Sequence, residues 1–198
     1  MVIALACGAE IGASAMLKRD LLSPVLDASD FVVQRPPLCG EVAPIARWRD
    51  VEAGLGAVLF LRHRKNGIFA SELSVAEREQ AGGWTSLDID SGSADYPDFF
   101  SENIADPDEV VHIESSERWV SEPGRNGGEG APLRLFEVAV GESIEKITCS
   151  VGGRVVEQEI SPLRIALIGV WSDQPATFHT YSRGGVRCEL PVRVSFFE

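Results

Sequence analysis

Three glycine-bearing dipeptides, each set between two strand-like runs, constrain this chain more than any other feature. Asn66-Gly67 separates AVLFLRHRK from IFASELSV, Gly152-Gly153 separates IEKITCSV from RVVEQEI, and Gly184-Gly185 separates ATFHTYSR from VRCELPVRVSF. Tight hairpin turns need positive φ at their central residues, which glycine and asparagine supply. A two-residue Asn-Gly loop sets Lys65 opposite Ile68, His63 opposite Ala70 and Phe60 opposite Leu73. The basic run Arg62-His63-Arg64-Lys65 then becomes a charged strand end, which resists edge-to-edge pairing. RIALIGVW reads as a strand covered on both sides, being a continuous apolar run of strand length. After the third turn, Val186, Cys188, Leu190, Val192, Val194 and Phe196 alternate with Arg187, Glu189, Arg193 and Ser195. That period of two marks a strand with one buried face. Six strands are expected between 133 and 198, and the fold class is mainly β, with an N-terminal helix.

The opening MVIALACGAEIGASAML is apolar and rich in small residues. It reads as a docked helix over 1–22, with Ala4, Gly8 and Gly12 on one face. Lys18 and Arg19 follow the apolar run instead of preceding it, unlike a secretory signal. The run is short for a membrane span and holds Glu10 at its middle, so a membrane partner is not expected. A cytoplasmic location is the expectation. The alternative is a cell-envelope lipoprotein or secreted protein: ALACG loosely matches a lipidation pattern at Cys7, which would require a start codon further upstream. Pro24, Pro36, Pro37 and Pro44 favour extended or turn structure after the helix. Residues 23–121 form a β-hairpin-rich region, and 122–132 a glycine-rich linker. That linker's glycines lead into LRLFEVAV, strand-like sequence, whereas a phosphate cradle needs a helix after them.

The net charge of −12 over 198 residues is concentrated in one place. Between Glu79 and Glu117 there are eleven acids and no Lys or Arg; the remainder holds 30 − 11 = 19 acids against 18 bases. A nucleic-acid partner is disfavoured, since phosphates need a basic face. A one-signed acidic loop over 79–117 instead steers association with a basic protein surface. Within it, Asp88, Asp90, Asp95 and Asp98 offer carboxylates for calcium, although the spacing departs from the EF-hand loop at Gly92, Ser93 and Phe99. Trp84, Tyr96, Phe99 and Phe100 argue for apolar burial in the same stretch.

Signatures of catalysis are sparse. The four cysteines form no C-x-x-C pair and the three histidines are scattered, so neither zinc nor a redox motif is expected. No G-x-S-x-G elbow, H-E-x-x-H helix or Walker loop is present. His112 and Glu114, two apart, would share one face of a strand and could serve acid–base chemistry. The expectation is a non-enzymatic binding protein with an acidic surface loop and no cofactor. The alternatives are a hydrolase-like enzyme with its site between two lobes near His112 and Glu114, and a calcium-stabilised envelope protein.

In the second hairpin Ile147, Cys149 and Val151 share a face, and Cys188 lies on the apolar face of the last strand. With Trp171 between them in sequence, residues 131–198 resemble an immunoglobulin-like β-sandwich, in which an inter-sheet cysteine pair packs near a core tryptophan. The resemblance implies a small sandwich over 133–198, an interaction role, and a possible Cys149–Cys188 disulfide, two buried thiols being the other state.

Overall fold

A computed structural model describes the backbone of residues 3–4, 12–30, 35–91, 107–121, 130–185 and 187–190, and the side chains of 20–30, 35–87, 107–121 and 130–185. In chain order the elements are β1 (Ile3–Ala4), α1 (Gly12–Asp27), β2 (Glu41–Asp50), β3 (Leu55–His63), β4 (Phe69–Arg78), β5 (Trp84–Ser91), β6 (Val110–Ser121), β7 (Gly130–Val140), β8 (Ile144–Val151), β9 (Arg154–Gln158), β10 (Ile165–Trp171), β11 (Ala176–Ser182) and β12 (Arg187–Leu190). The protein is mainly β with one N-terminal helix, and six strands begin at or after Gly130.

Three antiparallel sheets, ordered β1-β2-β3-β4-β5, β10-β7-β6 and β12-β11-β8-β9, stack beneath the helix. The three-stranded sheet is the middle layer. Along β7, Leu133, Leu135 and Ala139 join Ile45, Trp48, Leu59 and Leu73 of the five-stranded sheet. The alternate residues Phe136, Val138 and Val140 join Ile147, Cys149 and Phe178 of the four-stranded sheet. β10 divides its residues in the same way, with Ile165 and Leu167 on one side and Ala166, Ile168 and Val170 on the other. The unbroken apolar run of RIALIGVW is therefore a strand covered on both faces, as its composition predicts. Gly169 is the one gap in that run, and the Trp48 indole fills it: a Cβ there would meet the ring.

The helix differs from expectation at both ends. Ile3–Ala4 pair with Val42 and Glu41 as a strand, and α1 continues through Pro24 to Asp27. Pro24 forfeits one helical hydrogen bond, but the C-terminus is fastened from outside. Leu21, Leu22, Val25 and Leu26 pack on Val42, Val58, Phe60 and Trp84. Arg47, only 1% exposed, donates to the carbonyls of Val25 (2.6 Å) and Ala28 (2.8 Å), and Arg49 donates to Leu26 and Ala28. Orphaned carbonyls at a helix end attract cations of this kind. Arg47 also donates to the Glu159 carboxylate at 2.7 Å, tying the helix to the segment before β10.

Two of the three turns keep their place but shift their register. The Gly67 N–H donates to Arg64 O, only Gly67 of the pair has positive φ, and His63 faces Phe69. The loop is thus three residues with a glycine bulge, and every expected pairing moves by one: Arg62 faces Ala70 and Leu59 faces Leu73. At Gly184-Gly185 only Gly185 has positive φ among the described residues, and Tyr181 faces Arg187. Gly152 and Gly153 both have positive φ, giving the two-residue turn with Val151 opposite Arg154.

The expected linker 122–132 overlaps a strand. β6 and β7 pair from Val110–Val140 to Ser121–Gly130, so residues 130–132 are strand and 122–129 connect a hairpin. A single core joins described residues between 45 and 75 to described residues between 120 and 167. The acidic stretch 79–117 is likewise part sheet, containing β5 and the first eight residues of β6. No described helix is long and apolar enough to cross a membrane.

Candidate functional site

His112 and Glu114 do not converge. His112 faces Val138 and Glu114 faces Glu137, with the register slipping between them. The bulge inserts Ile113 and reverses the alternation that a regular strand would keep. His112 is exposed on the side of the four-stranded sheet, 6.5 Å from the Phe136 ring, while Glu114 leaves β6 on the side of the five-stranded sheet. The two side chains cannot address one substrate from opposite faces.

The calcium candidates fall mostly outside the described residues. Asp95 and Asp98 lie there, as do the side chains of Asp88 and Asp90. The backbone of Asp88 and Asp90 belongs to β5, where Asp88 faces Val75, so these two residues are on a strand and not in a loop. Among the described residues no three His, Cys, Asp or Glu side chains gather as a metal set.

The cysteine pair is a correction. Phe178 of β11 faces Cys149 on one side, and Thr180 of the same strand faces Cys188 on the other. Both cysteines are in the four-stranded sheet, with β11 between them. Strands two apart lie about 10 Å from one another, beyond the roughly 7 Å that a disulfide can span between Cα atoms. Cys149 is a free, buried thiol. Burial pushes it up to about 11, and nearby Arg134 offsets only part of that. Cys39 is free and exposed, and Cys7 lies outside the described residues.

The surface that stands out is the far end of β6. Beyond the bulge, Ser115, Glu117, Trp119 and Ser121 share the face toward the four-stranded sheet, opposite Phe136, Arg134, Pro132 and Gly130. That sheet does not cover this end: Glu117 and Ser121 are exposed, and Trp119 is 69% exposed. The opposite face is covered, with Val120 in the core. Gly130 positions the indole, because a side chain there would run into Trp119 Nε1. Arg134, across from Glu117, donates to the carbonyls of Ser172 and Gln174, both at 2.8 Å, leaving the Glu117 carboxylate to solvent. Nothing in the sequence singled out Trp119. Its only signal was a tryptophan two residues beyond Glu117, at the end of the acidic stretch.

No protein-family model matches the chain, and comparisons with curated proteins and with solved structures give no match either.

Proposed function

We propose that the protein is a non-enzymatic binding protein whose partner presents basic side chains to the end of β6 and to the acidic stretch 79–117. The observation that carries this reading is Trp119, 69% exposed on an edge strand, beside the solvent-facing Glu117. Tryptophan is among the residues that dominate interfaces, and Trp119 is the most exposed large hydrophobic side chain among the described residues. Eleven acids without a Lys or Arg between Glu79 and Glu117 supply a long-range field of one sign that draws a basic surface in.

The architecture supports an interaction role. Strands β6–β12 form two facing sheets of three and four, with the first, second and fifth strands in one and the third, fourth, sixth and seventh in the other. We read that strand order as similar to an immunoglobulin-like sandwich beginning at β6, with the fourth strand beside the third. Such scaffolds present strand edges and loop ends to partners, and the function resides in those surfaces. The test is a low-salt pull-down using the wild-type chain beside Glu117→Lys and Trp119→Ala. A basic protein retained by wild type and lost from both variants is the expected result. An identical set of retained proteins from all three overturns the reading.

A further inference from the structure

We infer that the partner binds by strand addition: an extended segment pairs with the open edge of β6 and sets a lysine or arginine over the Trp119 indole and against the Glu117 carboxylate. This rests on the reading above that the partner is basic, and adds the geometry of its recognition.

The edge is the first ground. Among the described residues β6 pairs with β7 alone, at the border of the three-stranded sheet. Alternate residues of such a strand direct their N–H and C=O groups away from the sheet, a template for another chain. Natural edges are blunted by charged side chains, lysine above all, by proline or by bulges. The Ile113 bulge interrupts one end of β6, but from Glu114 to Ser121 the register is regular, and that stretch holds no lysine and no proline; its charges are Glu114, Glu117 and Arg118, so its net negative edge opposes an acidic strand and admits a basic one. Its length suits an added strand of ordinary size.

The two faces of β6 define what the added strand carries. On the open face Glu117 and Trp119 follow one another at strand spacing, both exposed. A cross-strand neighbour there would sit about 5 Å away, within reach of a cation–π contact and an ion pair together. No ion pair to Glu117 is made among the described residues, and Arg134, across from it, turns its Nη2 to the Ser172 and Gln174 carbonyls. On the other face Ser116 and Arg118 are half-buried and Val120 is buried. The matching ligand therefore alternates Lys or Arg with apolar residues, because side chains of a strand project to opposite sides in turn.

The probe is a fluorescein-labelled octapeptide alternating lysine and valine, titrated at low salt and followed by anisotropy. Wild-type protein is expected to bind it, and to lose the Gln-for-Lys peptide and the peptide N-methylated on alternate backbone amides. Trp119→Ala should bind about tenfold more weakly. Glu117→Gln should bind about threefold more weakly, a difference that closes in 0.5 M salt. Both side chains are exposed, and an unchanged melting temperature establishes that the variants are folded. Equal binding of the N-methylated peptide, with Trp119→Ala unaffected, overturns strand addition while leaving an acidic binding surface in place. Failure of every lysine peptide to bind overturns strand addition outright, and the pull-down then decides separately whether a basic partner exists.

Discussion

Cys149 shows what burial does to a single titratable group. Its thiol sits among Ile147, Phe178 and Val138, 4% exposed, and is held up to about 11. The folded state thus keeps its proton while the unfolded chain releases one near pH 9, so stability is complete below pH 9 and falls as pH rises toward 11. Two pH units correspond to roughly 2–3 kcal/mol. Urea unfolding at pH 8.5 and 10.5 should show the wild type losing about 1.5–2 kcal/mol more than Cys149→Val, which has no proton to lose; equal losses would refute the assignment. That this cysteine points inward was readable from its alternation with Ile147 and Val151. Its distance from Cys188 was not, because the sheet to which a strand belongs is decided by pairings far away in sequence. Trp119 illustrates the same limit at closer range. Extending the alternation of Val111 and Ile113 would have turned Trp119 to the same side as those two, and a one-residue bulge turns it to solvent.

Among the elements, α1 depends on groups outside itself. Its 16 residues contain Pro24 and carry no basic residue in the last turn, so the cations that its C-terminus needs come from Arg47 and Arg49 on β2. Arg47→Leu would leave the carbonyls of Val25 and Ser29 without their donor, Ala28 with Arg49 alone, and Glu159 without its partner. Removing one member of a buried pair costs about 3 kcal/mol; Glu159 is partly exposed, so the carbonyls account for much of the loss. Denaturant unfolding checks this, and a loss below 1 kcal/mol would show that packing alone holds the helix. Strands and turn positions were legible from apolar alternation and from glycine. Register was not, since whether Asn66 adopts positive φ alongside Gly67 is a choice between two turns that the same dipeptide permits. The helix boundary was obscured by Pro24, whose local preference is overridden by contacts with β2, β3 and β5.

At the scale of the whole molecule, the middle sheet must fit two neighbours at once. Gly169 of β10 sits beneath the Trp48 indole, and any side chain there collides with the ring. Gly169→Ala should therefore destabilise by about 1–3 kcal/mol through overpacking, with partial recovery in Gly169→Ala/Trp48→Phe. Additive losses in the double variant, measured by chemical denaturation, would contradict direct contact. The layering also bears on how the chain is made. The five-stranded sheet is complete once residue 91 has been synthesised, yet the strands that cover its inner face continue to Trp171. At about 5–20 residues per second, Leu59, Leu61, Leu73 and Val75 wait on the order of 4–16 s for their partners. The acidic stretch 79–117 emerges within that interval. Charge of one sign disfavours association between like chains, and this segment carries it while the apolar sheet is still uncovered.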